Sequence, residues 1–130
     1  MTLALWCLPI ACLIPYTWSI ATIPGRNALP GGIDNANPRP QQAALEGLGA
    51  RAVSAHKNAF EALPPFLAGV LTAHVLGADP TWSGALAAAW VGFRFVHGAA
   101  YLADIHALRS ASFMMALGCA LGQFALAAMA

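Results

Sequence analysis

Residues 55–78 read AHKNAFEALPPFLAGVLTAHVLGA. The first half carries Lys57, Asn58 and Glu61, and from Leu67 onward the stretch is almost wholly apolar. An amide and a carboxylate thus stand at the mouth of a greasy segment, just ahead of Pro64 and Pro65. The rest of the chain decides what solvent that segment meets. Of its 130 residues 59% are apolar and only 8% are charged, with a mean hydropathy of +0.65. A soluble domain carries about a quarter charged residues. So few charges cannot cover a water-facing surface, and lipid is the implied solvent. The net charge of +1 offers no general attraction to nucleic acid or to acidic partners.

Four apolar runs organise the single domain expected over residues 1–130. They predict helices over about 3–22, 42–76, 82–104 and 108–129, the second with a polar lead-in. Each apolar run is close to the ~20 residues that cross a bilayer core. In lipid the backbone must satisfy itself, so each is expected to be helical. The first run, LALWCLPIACLIPYTWSIAT, has no charge; a signal peptide is the alternative, but no basic residue precedes it. Residues 23–41, IPGRNALPGGIDNANPRPQ, read as a loop. GADPT (77–81) and DIHALRS (104–110) are short links, which imply antiparallel neighbours and an all-α, integral membrane four-helix bundle. Arg26, Arg39, Arg51 and Lys57 lie in or beside the first loop and Arg109 beside the third. The basic bias puts those loops in the cytoplasm and both termini on the other side. Gly118, Gly122, Gly84, Ala88 and Gly92 offer small-residue faces for close helix packing.

The informative residues are the polar ones inside the runs. Arg94, His97 and Tyr101 fall at i, i+3, i+7 and share one helical face. An arginine at mid-span costs at least ~2.5 kcal/mol and faces a bundle interior or a wet cavity. Ser54, Asn58 and Glu61 form a matching face, with Arg51 one turn earlier. Glu61 and Arg94 are expected to pair, directly or through a small polar network; the plain alternative is interhelical glue. Pro64 and Pro65 weaken the ladder after Glu61, so a kink that opens a crevice is expected there. Cys7, Cys12 and Cys119 lie in apolar runs with no CxxC, which predicts neither a disulfide nor a metal site. His56 is expected on a different face from Asn58, at the membrane surface, and His74 and His106 lack metal-site spacing. Trp6, Trp18 and Trp82 read as interfacial anchors, and Trp90 as packing.

AHKNAFEALPPF, RFVHGAAYLADIHALRSASF and DNANPR (34–39) together resemble the signatures of the membrane-associated proteins in eicosanoid and glutathione metabolism, the MAPEG family. The resemblance runs end to end and is to bacterial members similar to microsomal glutathione transferases. It implies a homotrimer in the bacterial inner membrane, with termini in the periplasm. It implies glutathione as co-substrate and conjugation to a lipophilic electrophile, or reduction of a lipid peroxide. Carried over by motif position, Arg51, Asn58, Glu61, Arg94, His97 and Tyr101 would hold the tripeptide. Arg109 and Tyr101 would serve catalysis, with Arg109 stabilising the thiolate. The family also has non-catalytic members that bind lipid, and that is the alternative function. Two positions depart from the pattern: Ser54 stands where binders carry arginine, and Ala62 where a tyrosine is frequent.

Overall fold

A computed structural model describes residues 1–130 as seven helices with no strand. They are α1 (Leu3–Ile20), α2 (Ile23–Asn27), α3 (Pro38–Ala43), α4 (Gly47–Glu61), α5 (Leu63–Val75), α6 (Pro80–Leu102) and α7 (His106–Ala128). Three stretches, Leu3–Asn27, Pro80–Leu102 and His106–Ala128, are long and apolar enough to cross a membrane. The first, third and fourth expected helices thus appear within a few residues of their expected ends.

The second does not appear as one helix over 42–76. Gln42 and Ala43 belong to α3, and the remainder is split at Ala62 into α4 and α5. The cause is local. Pro64 and Pro65 have no N–H for the carbonyls of Phe60 and Glu61, four residues back. Ala62 stays in the right-handed region (φ −81°, ψ −15°), so the chain bends there and does not reverse. The loop expected over 23–41 also differs, since it contains α2 and ends inside α3. Pro24 and Pro38 stand in the first turns of the two short helices, where the missing N–H costs nothing.

Packing follows the small residues. Gly69 lets α5 approach α7 so closely that an added Cβ would lie 2.9 Å from the Ala120 carbonyl. Gly98 on α6 receives the Trp18 indole of α1, which would overlap any Cβ there. Trp18 also packs edge-on to Phe95, 6.3 Å between centroids, so this tryptophan, expected as an anchor, has a packing role. Of the small residues read from sequence, Gly84 packs on Leu3 and Gly122 on Leu86, while Gly92 and Gly118 meet nothing. Trp90 stacks flat on Phe66, centroids 3.9 Å apart, at the centre of the core. A polar pin crosses α6 to α7: Ser83 Oγ donates to Gln123 Oε1 (2.8 Å), and Gln123 Nε2 donates to the Ser83 carbonyl (2.9 Å). Such bonds average ~0.6 kcal/mol in membrane proteins. Asp79 caps α6 by accepting from the amides of Thr81 and Trp82. Large apolar side chains such as Leu13, Leu71, Trp82, Met114 and Leu121 point outward, as lipid as solvent requires.

Candidate functional site

A cavity of about 260 Å³ opens beside the α4–α5 bend. Asn58, Glu61, Ala62 and Pro65 form one wall, and Trp90 and Arg94 of α6 another. Phe113, Ala116, Leu117 and Ala120 of α7 close it. The crevice expected from the two prolines is therefore where the sequence reading puts it. The α7 wall was missed, although Phe113, Ala116, Leu117 and Ala120 share one face at i, i+3, i+4, i+7. Trp90, one turn before Arg94, was read only as packing; it does both.

Arg94 is 1% exposed. Its Nη2 donates to the Asn58 carbonyl (3.0 Å) and to Asn58 Oδ1 (2.8 Å). Glu61 and Arg94 form no ion pair and no hydrogen-bonded link; Asn58 takes the Arg94 contact, and Glu61 shares only the cavity with them. Glu61 is exposed at the rim of the same cavity. The bend accounts for this: Glu61 ends α4, and its side chain stays exposed while Arg94 is buried. Arg94 Nε and Nη1 are shut from solvent and have no acceptor. Buried guanidinium donors without partners are rare and costly, about 1–3 kcal/mol for each unmet group.

His97, Tyr101 and Arg109 form a neighbouring cluster at the α6–α7 corner. His97 is 3% exposed and its Nδ1 lies 2.9 Å from the Arg109 carbonyl. A carbonyl only accepts, so Nδ1 carries the proton and Nε2 is a buried acceptor without a partner. The ring meets Tyr101 edge-on at 5.2 Å and Phe113 at 6.0 Å. Phe113 thereby joins the cluster to the cavity wall. The Arg109 guanidinium sits 4.7 Å above the Tyr101 ring, a cation–π contact worth ~0.5–2 kcal/mol. Arg109 and Tyr101 do not line the cavity themselves.

Arg51 is engaged elsewhere. Its Nε donates to the Leu102 carbonyl (3.2 Å), and its Nη1 lies 3.7 Å from Asp104. It therefore ties the start of α4 to the corner after α6, where Asp104 takes a left-handed φ of 59°. This contact also puts the first-loop end of α4 at the same end of the molecule as the α6–α7 corner. Ser54 is exposed and bonds only to the Ala50 carbonyl (3.0 Å). His56 does lie on the opposite face of α4 from Asn58, and it is packed against α1; its Nδ1 donates to the Pro15 carbonyl at 2.8 Å. No group of His, Cys, Asp and Glu is arranged to hold a metal ion, and all three cysteines are free.

DNANPR is a turn. Asp34 accepts from the amides of Ala36 and Asn37 and from the Asn37 side chain. The Asn37 backbone bond, chiefly, holds its carboxyl below the usual carboxylate value. Gln41 stitches the same segment to Arg26 (2.7 Å) and to the Gly32 carbonyl (2.6 Å).

Among curated proteins none matches the chain. A family match spans residues 3–129, so both the apolar helices and the Asn58–Arg94 cavity lie inside it, and this membrane protein belongs to the MAPEG family, which includes glutathione transferases and related membrane proteins.

Proposed function

We propose that this protein is a membrane-bound glutathione transferase or peroxidase acting on lipophilic electrophiles or lipid peroxides. One observation carries the reading: a buried guanidinium with two unsatisfied nitrogens shares a cavity with an amide and a rim carboxylate. An arginine asks for a carboxylate and a glutamate for an ammonium. The pair complements the amino-acid end of glutathione, whereas a plain fatty acid leaves Glu61 without a role. The apolar walls from α7 suit a co-substrate that arrives by partition from the bilayer. Ligand sites usually enclose ~300–1,000 Å³, so 260 Å³ is on the small side for one subunit. A homotrimer, with the cavity completed by a neighbour, belongs to this proposal. So do α4–α5 as a bent second span of a four-helix subunit, and a bacterial inner-membrane setting with periplasmic termini. In the mechanism proposed, Asn58, Glu61 and Arg94 hold the tripeptide, with His97 and Tyr101 beside them. Arg109 lowers the thiol pKa, because a nearby cation favours thiolate; the thiolate then attacks the electrophile, whose leaving group or developing anion takes the displaced charge.

A second reading, a non-catalytic lipid-binding subunit, is favoured by two facts. Arg109 rests on Tyr101 outside the cavity, and Ser54 supplies no cation. Glutathione binding and turnover of a chromogenic aryl halide, measured on protein in nanodiscs, decide between the two. Wild type should bind and turn over. Glu61→Gln should weaken glutathione about tenfold, one charged hydrogen bond, and spare a glutathione analogue with a blocked amine. Absence of both binding and turnover overturns the first reading.

A further inference from the structure

We infer that a second crevice, on the other side of α4, seats a glycerophospholipid headgroup that combines a phosphate with a hydrogen-bond donor. The crevice encloses about 380 Å³ and is lined by Tyr16 and Ser19 of α1, Arg39 and Gln42 of α3, and His56 and Phe60 of α4. Residues 56 and 60 point away from 58 and 61 at 100° per residue, so it is separate from the Asn58–Arg94 cavity.

Its chemistry is two-sided. Arg39 has no carboxylate partner and makes only a 3.3 Å bond to Gln42 Oε1. The Tyr16 and Ser19 hydroxyls bond to nothing in the protein. These groups form a donor set with one positive charge, the complement of a phosphodiester. His56 adds the opposite requirement. The residue is 9% exposed, and the Pro15 carbonyl takes its Nδ1 proton. Nε2 is left with a lone pair, no protein partner and a place in the crevice wall. Phe60 packs edge-on against the ring at 5.1 Å, and the Pro15 bond fixes which nitrogen faces the protein. A ligand that satisfies both sides brings an anion and, close by, an N–H or O–H.

Depth selects the source. Tyr16 and Ser19 stand in the last turns of α1, and α3 follows the polar segment, so the crevice sits at the membrane edge where headgroups lie. Leu13, one turn deeper, shares the face of Tyr16 and is exposed, which gives an acyl chain an apolar track into the bilayer. Phosphatidylethanolamine and phosphatidylglycerol carry phosphate plus donor. Phosphatidylcholine carries the phosphate alone.

The test uses the delipidated full chain in detergent, with native mass spectrometry and thermal melting. Four probes are compared: the ethanolamine, glycerol and choline lipids with matched acyl chains, and soluble glycerol phosphate. Ethanolamine lipid should bind about tenfold tighter than choline lipid, one hydrogen bond to a charged group, and glycerol lipid should lie between. Arg39→Gln, on an exposed residue, should weaken all three lipids alike by about tenfold. His56→Phe should erase the ethanolamine preference. If that variant does not fold, Tyr16→Phe with Ser19→Ala should weaken all three lipids instead. Equal binding of choline and ethanolamine lipids by the native chain overturns the inference, as does Arg39→Gln binding like wild type. Glycerol phosphate binding as tightly as lipid moves the occupant to a soluble phosphate and overturns the lipid assignment. None of these outcomes bears on glutathione in the other cavity.

Discussion

Arg94→Met keeps a long unbranched stem and removes the charge, and its two consequences run in different directions. For stability, the loss is two hydrogen bonds from Nη2 to Asn58, about 1.5–3 kcal/mol each when one partner is charged. Asn58 is half-buried, so its freed oxygens can turn to water. The gain is relief of a guanidinium that is 1% exposed and leaves Nε and Nη1 unpaired. Unmet donors cost about 1–3 kcal/mol each, and burial of the charge adds several more. The gain matches or exceeds the loss, so the variant should be as stable as wild type or more so, with any loss no greater than about 2 kcal/mol. Ligand affinity has no such compensation. Loss of one charged contact to a carboxylate, about 1.5–3 kcal/mol, raises Kd by one to two decades. Titration calorimetry with glutathione and thermal melts, both in nanodiscs, read the two numbers on one preparation. A variant that melts far lower yet binds as wild type would refute the reasoning, because Arg94 would then be a strut between α4 and α6 and nothing more.

Arg109→Ala should lower kcat for thiol conjugation at least tenfold while KM moves little, because the cation acts on the thiolate and not on the anchored peptide; unchanged kcat removes Arg109 from the mechanism. Gly98→Ala should destabilise by about 1–3 kcal/mol through overpacking against Trp18, and the same change at Gly92, which meets nothing, should leave the melting temperature almost unmoved. Asp34 has a folded-state pKa below the unfolded ~3.9. Its turn is therefore fully supported above about pH 4 and released as pH falls through the lower folded value. The Asn37 amide shift, followed by NMR, should titrate with a midpoint under ~3.9; a midpoint at or above that value refutes the arrangement.

The candidate site was half legible. Helical spacing alone aligned Asn58 with Glu61 and Arg94 with His97, because side-chain direction on a helix follows from 3.6 residues per turn. It also marked the bend, since two adjacent prolines remove two donors wherever they fall. What spacing could not supply was which polar atoms meet. Glu61 was paired with Arg94 on charge, yet Asn58 took the contact, because α6 crosses α4 at a height that brings Nη2 to residue 58. Motif position gives Arg51 a ligand role, and spacing does not foresee its bond to the Leu102 carbonyl. That choice depends on where the α6–α7 corner folds back, which no local pattern encodes.

Composition and the placement of four apolar runs pointed to lipid as the solvent and to a helical chain, because backbone in hydrocarbon must bond to itself; three of the four runs appear as helices long and apolar enough to cross a membrane. Tertiary structure decided the rest. It buried His56 against Pro15, split the second run into α4 and α5, and separated one polar face into a cavity around Arg94 and a stacked corner at Arg109. Each of these is a contact between residues on different helices or a bend that sets one up. The energy of such contacts depends on distances that only the packed helices create.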